Sequence, residues 1–140
     1  MIIIIEDEEE CKRLTYMISD FAIFKIIGVY YSLDAVLDDV RNKKVETPMY
    51  VLMHIGDAPW DTINRRLDAI NHVFPLARIF LMGAPNRYIS MDRLELYRLY
   101  KGVDAYIHTD VKKGRLRRVC KIFVNNRVMY DKPVARENER

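Results

Sequence analysis

The chain is short of several things, and each shortage closes off a class of protein. Only two of its 140 residues are cysteine, Cys11 and Cys120. They stand too far apart for a C-x-x-C ligand pair, so both read as buried, reduced thiols rather than as a disulfide or a zinc site. The five glycines are scattered, and Gly28, Gly56 and Gly83 do not make a phosphate-cradling loop. Uninterrupted apolar runs are short, as in Met1 to Ile5, far below the roughly 20 residues that cross a bilayer, and no basic segment precedes that run. A soluble, unprocessed, cytoplasmic protein without a membrane partner is expected. No nucleophile-base pair stands out, so no enzyme is expected either.

What is present suits one globular domain with a real core, since half of the residues are hydrophobic. The net charge of +3 is small but unevenly spread. Glu6, Asp7, Glu8, Glu9 and Glu10 open the chain, whereas Lys112, Lys113, Arg115, Arg117, Arg118 and Lys121 crowd near its end. The basic cluster reads either as the solvated face of an amphipathic helix or as a docking patch for an acidic partner or DNA phosphates.

Short β-branched runs alternate with segments whose apolar residues recur at helical spacing. Strands are expected at Met1–Ile5, Phe24–Tyr30, Tyr50–Ile55, Arg78–Met82 and Ala105–His108. Between and after them, apolar stripes mark five helices: Cys11, Leu14, Ile18, Phe21; Val36, Leu37, Val40; Ile63, Leu67, Ile70, Phe74; Leu94, Tyr97, Tyr100; and Leu116, Val119, Cys120, Phe123. Ser32, Asp61 and Ser90 can cap three of these helices, and Gly102 stands where a helix C-cap favours a residue tolerant of positive φ. Five β-α units predict a doubly wound α/β domain with a parallel sheet covered on both faces. Sites in such sheets gather at the carboxyl ends of the strands. That rule selects Glu6 and Asp7, His54 to Asp57, Gly83 and Ala84, and His108 and Thr109.

Over roughly residues 1–131 the chain resembles the response-regulator receiver family, the CheY-like domains. Ile-Ile-Ile-Ile-Glu6-Asp7 looks like the family's first strand and acidic metal-binding pair. Pro48 to His54 looks like the run from proline into the phosphoacceptor, and Gly102 to Thr109 like the glycine-led fifth strand ending at the family lysine. The resemblance implies a flavodoxin-like (βα)5 fold with strand order 2-1-3-4-5. Asn126 to Tyr130 and Pro133 to Arg136 are similar to the receiver end and linker of the NarL/FixJ branch, which implies that residues 132–140 begin a linker toward a DNA-binding domain not contained here.

Carried over position by position, the resemblance implies a degenerate phosphorylation pocket made of Glu6, Asp7, His54, Gly83 and Thr109. His54 stands at the phosphoacceptor aspartate, Gly83 at the fourth-strand hydroxyl residue and Thr109 at the lysine. An aspartyl phosphate needs a carboxylate nucleophile, a magnesium ion held by oxygen ligands and a cation beside the transferred group. No cofactor is therefore expected, and Mg²⁺ binding should be weak or absent. An ion pair from His54 to Glu6 or Asp7 could replace the metal centre; alternatively His54 simply fills the pocket, or joins Glu6 and Asp7 as a transition-metal ligand. Asp57 is a remaining alternative acceptor. Tyr106 occupies the family's switch aromatic, and with Gly83 beside it the ring has room to turn inward.

These readings lead to a phosphorylation-independent interaction module in signal transduction or transcription regulation. Its surface is expected at the fourth helix, fifth strand and fifth helix, through Tyr97, Tyr100, Lys112, Lys113 and Arg117, with a protein partner or a second copy. Tyr88 belongs to the same aromatic group. Alternatives are a phosphorelay receiver with an unconventional acceptor, or the receiver part of a DNA-binding regulator; direct nucleic-acid binding by this chain alone is not expected. His72 reads as a surface residue, and His108 as pointing away from the pocket.

Overall fold

Apolar runs line up as a single parallel sheet because those at its centre are too apolar to leave either face wet, while the edge run Gly28–Tyr30 stays partly exposed, and each of the first five runs is followed by a helix long enough to return the chain. The computed structural model describes residues 1–125 and the backbone of a last strand at Met129–Tyr130. The rest of the NarL-like segment and the tail from Lys132 lie outside the described residues.

In chain order the elements are β1 (Ile2–Ile4), α1 (Glu8–Phe21), β2 (Gly28–Tyr30), α2 (Leu33–Arg41), β3 (Tyr50–Gly56), α3 (Trp60–Val73), β4 (Arg78–Gly83), α4 (Met91–Lys101), β5 (Val103–His108), α5 (Lys113–Val124) and β6 (Met129–Tyr130). The sheet order is β2-β1-β3-β4-β5-β6 and every pairing is parallel. Its first five strands follow the expected order 2-1-3-4-5. The sixth, pairing Met129 with Ala105 and Tyr130 with Tyr106, occupies the outer edge of β5.

Alternating side chains feed two separate cores. Ile2, Ile4, Val51, Met53, Ile79 and Leu81 pack under α2, α3 and α4. Ile3, Ile5, Leu52, Phe80 and Met82 pack under α1 and α5. Strand β5 changes phase on the way: Ile79 pairs with Val103 but Phe80 with Ala105, so Asp104 is the extra residue. Arg78 takes up that carboxylate (Nε to Oδ2, 2.6 Å) and donates to the Phe123 carbonyl at the end of α5 (2.7 Å). The irregularity puts Tyr106 on the same side as Val103, facing the α3 and α4 core.

Helix starts follow capping chemistry. Asp7, Ser32 and Ser90 accept hydrogen bonds from the amides of Glu10, Ala35 and Arg93. Gly102 ends α4 at φ 72°. Two expectations are corrected. Asp61 does not cap α3, which begins one residue earlier behind Pro59 and carries Asp61 in its first turn. The second strand is limited to Gly28–Tyr30 because Phe24 is drawn into the α1/α5 core, with its ring 5.2 Å from Tyr50.

Both thiols are buried. Burial raises that of Cys11 and pushes that of Cys120 up to about 12, which leaves them unreactive at neutral pH. Among the described residues no helix is long and apolar enough to cross a membrane.

Candidate functional site

The carboxyl ends of β1 and β3 open onto a cleft of about 450 Å³ lined by Glu6, Asp7, His54, Asp57 and Arg66, among others. The structure thus brings three of the five expected pocket residues together, but not in the expected pairing. Asp7 is turned to its capping bond with the Glu10 amide, 3.0 Å away. Glu6 pairs with Arg66 of α3 at 3.0 Å. His54 makes no hydrogen bond or ion pair among the described residues, so the proposed exchange of a metal centre for a His54 ion pair is replaced by an arginine-carboxylate pair. Nor do Glu6, Asp7 and His54 form a metal-binding cluster: no group of three or more histidine, cysteine or acidic side chains able to hold a metal occurs among the described residues.

His54 is half-buried, and burial lowers its pKa below the ordinary value, against an opposing pull from Glu10, Glu6, Asp7 and Asp57. Desolvation therefore outweighs the carboxylates, and the imidazole is neutral at pH 7. The unfolded chain takes up the proton first as pH falls, so this group's contribution to stability is present above about pH 6.5 and declines as pH drops below it. His54→Gln is expected to flatten the fall in melting temperature between pH 7 and 5; an unchanged pH profile would contradict the neutral assignment.

Thr109 stands at the end of β5, 5% exposed. Its amide donates to the Gly83 carbonyl (3.0 Å) and its carbonyl accepts from the Arg13 guanidinium. Arg13 in turn binds Glu10. Arginines 13 and 66 therefore bring positive charge to a rim where the family resemblance would place a lysine, each already held by a carboxylate.

Tyr106 lies wholly inside the domain. A Cβ built on Gly83 would fall 2.2 Å from its hydroxyl oxygen and 2.9 Å from Cζ, so the inward ring occupies space that exists only because residue 83 has no side chain. The phenol donates to the carbonyl of Arg87 (2.9 Å), and the His108 Nε2 lies 2.8 Å from the same oxygen. His108 is thus buried against the Tyr106 ring, 5.5 Å between centroids, and takes no part in the cleft. Arg87 reaches the other way as well. Its guanidinium donates to the carbonyls of Gly56 (2.5 Å) and Ala58 (2.6 Å), in the loop after β3, and lies 4.4 Å from the Trp60 ring. One residue therefore joins the β3 loop to the tyrosine of β5.

Arg66, Arg13 and Arg87 were missed in the sequence. The only available signal was at Arg87, which follows the turn pair Pro85-Asn86; Asn86 adopts φ 65°.

The expected partner surface is divided. Tyr97 is 4% exposed, donates to Asn64 Oδ1 (2.5 Å) and packs edge-on against Trp60, so it is a core residue rather than a docking one. Tyr100 is 74% exposed. Lys112, just before α5, and Lys113 and Arg117 on it are exposed on the opposite face of the sheet, with Lys113 bound to Asp20 of α1 (2.5 Å). Between α4 and α5, the edge of β5 is covered by β6. His72 is exposed, as expected.

No family model and no curated protein matches the chain. Solved structures do. The isolated receiver domain of RcsB from Salmonella enterica serovar Typhimurium, with the phosphomimetic BeF3-, is similar over 96% of this chain and 94% of its own, with 12% identity and a TM-score of 0.70. The RcsB response regulator in complex with DNA gives a TM-score of 0.71 at 12% identity, and the chain spans 64% of its length. A pilus assembly protein, CpaE of Caulobacter crescentus CB15, is 19% identical over 87% of this chain and 90% of its own, with a TM-score of 0.61. The fold is that of a response-regulator receiver domain. At these identities the likeness extends to the fold and not to the pocket.

Proposed function

We propose that this domain is a receiver whose switch is fixed without phosphoryl transfer, and that it works in cytoplasmic signal transduction or transcription regulation as a protein-interaction module. The observation that carries the reading is the inward Tyr106, seated against Gly83 and held by the Arg87 carbonyl. In the family the chain resembles, such a tyrosine moves when a phosphorylated pocket recruits the fourth-strand hydroxyl. Here residue 83 offers no hydroxyl, and the loop after β3 is tied to Tyr106 through Arg87. A phosphoryl group has no part to move.

The cleft supports the same reading. Its half-buried group is an uncharged imidazole, one carboxylate is spent on a helix cap and another on an arginine. Exposure to a small phosphodonor with Mg²⁺ is expected to leave the intact mass unchanged. A gain of one phosphoryl group, mapped to Asp57 or another cleft residue, would favour the phosphorelay alternative. The likeness to DNA-bound RcsB supports a place in a DNA-binding regulator, with contact to DNA made outside this domain.

A further inference from the structure

A second cleft, of about 510 Å³, lies between α3 and α4. It shares no residue with the cleft around His54, and its volume falls within the roughly 300–1,000 Å³ of small-molecule sites. Leu96, Tyr97 and Tyr100 give it an apolar wall, stiffened where the Tyr97 ring packs edge-on against Trp60.

Several polar groups on the lining are already committed. Ser90 Oγ caps α4 through the Arg93 amide, and Lys101 is bound to Asp68 at 2.5 Å. Asn64 is half committed: its Oδ1 accepts from the Tyr97 hydroxyl (2.5 Å), while its Nδ2 makes no hydrogen bond among the described residues. Two charges are left over. Arg93 has no carboxylate partner among the described residues and rests with its guanidinium 4.3 Å from the Trp60 ring, whereas Arg66, Arg98 and Lys101 of the same two helices each hold a carboxylate. Asp92 has no cation partner among the described residues either. As successive residues of one helix, these two do not face each other, so neither neutralises the other.

The uncommitted groups are thus one cation, one carboxylate and one amide N–H pair beside an apolar wall. A simple carboxylate would gain Arg93 and be repelled by Asp92, and a simple amine the reverse. A free α-amino acid carries both charges on one carbon, whereas a peptide terminus supplies only one of them. We propose that the α3/α4 cleft binds a free apolar α-amino acid. Its carboxylate is taken by Arg93 and Asn64 Nδ2, its ammonium by Asp92, and its side chain lies against Leu96, Tyr97 and Tyr100. The proposal goes beyond the function given above and stands whether or not the His54 cleft takes a phosphoryl group. Trp60 also carries Arg87 at 4.4 Å, which places the cleft one ring away from the loop that holds Tyr106.

The test is an NMR titration of the ¹⁵N-labelled full chain with L-leucine, L-isoleucine, L-valine, L-methionine, L-phenylalanine and L-tryptophan in turn. The reporters are the indole N–H of Trp60, the single tryptophan, and the Nδ2 signals of Asn64. At least one of these amino acids is expected to move both reporters saturably, and glycine to bind at least about tenfold more weakly. For the tightest of them, Arg93→Gln and Asp92→Asn should each raise Kd by about tenfold or more. Arg93→Gln also unstacks Trp60, and Asp92→Asn, which leaves that stack in place, reads the charge by itself. The N-acetyl and amide derivatives, each lacking one charge, should bind with a similar loss. No saturable shift with any of the six, a Kd that either variant leaves unchanged, or glycine or a derivative binding as tightly as the parent amino acid would overturn the proposal.

Discussion

Gly83→Ala is expected to destabilise the domain by about 3 kcal/mol and to force Tyr106 out of its inward seat. Gly83 does not hold a positive φ, so alanine meets no backbone penalty. The cost is steric: the added carbon falls 2.2 Å from the phenol oxygen, and the ring is wholly buried against residues that cannot yield as a loose surface chain would. Tyr106→Ala alone removes that ring, leaves a cavity and takes from the Arg87 carbonyl one of its two partners, the other being His108, at a cost of roughly 3–5 kcal/mol. In the double variant the new methyl group enters space that the ring has left, so the second substitution should add less than about 1 kcal/mol. Urea denaturation of the four proteins gives the coupling energy directly. A Gly83→Ala protein that keeps wild-type stability, with unchanged NMR signals for Tyr106, would contradict the packing described here.

Arg87→Ala should cost about 2–3 kcal/mol, because it removes two charge-assisted hydrogen bonds to the Gly56 and Ala58 carbonyls together with the stack on Trp60. Arg87→Lys recovers the charge but not the planar fork that reaches both carbonyls at once, and should regain less than half of the loss. The consequence at a distance is more informative than the stability change. The Tyr106 hydroxyl and the His108 ring are bound to the backbone of residue 87 rather than to its side chain, so they keep their partner only while the loop stays in place. Hydrogen exchange is expected to speed up both in residues 55–60 and around 84–90 in Arg87→Ala. Faster exchange confined to one of the two segments would show that Arg87 does not couple them.

Much of the fold was legible because parallel strands buried on both faces are nearly uniform in hydrophobicity. Ile-Ile-Ile-Ile and Arg78 to Met82 cannot be mistaken for half-solvated strands. Ser32, Ser90 and Gly102 declared their helix ends through cap chemistry that acts over three or four residues. Phe24 to Ile27 looked like strand because its composition is right; it fails to pair because a long-range aromatic cluster with Tyr50 and Phe123 claims Phe24. The phase change at Asp104 was invisible for a similar reason, since its partner, Arg78, is 26 residues away.

The pocket was legible at the ends of strands, where residue identity and position suffice, and illegible where long side chains decide. Nothing in the spacing of Arg66 says that it will meet Glu6, or that Arg13 will cross to the Thr109 carbonyl. The balance at His54 was equally hidden. Four nearby carboxylates favour its charge, burial opposes it, and only the geometry reveals that burial wins. Tyr97 fits both the apolar stripe of the fourth helix and a docking surface on sequence alone, because an aromatic residue on an amphipathic helix can face either way; its hydrogen bond to Asn64 on α3 fixes the answer.

The central claim, a receiver switch held in one state without a phosphoryl group, is tested most directly by titrating Mg²⁺ and beryllofluoride into the protein while following the backbone NMR shifts of Glu6, His54, Gly83 and Tyr106. The account predicts a well-dispersed spectrum in which these four signals do not move in a saturable way. Saturable shifts that begin at Glu6 and His54 and extend to Gly83 and Tyr106 would contradict it, because the pocket would then still sense a phosphoryl group and pass the signal to the tyrosine.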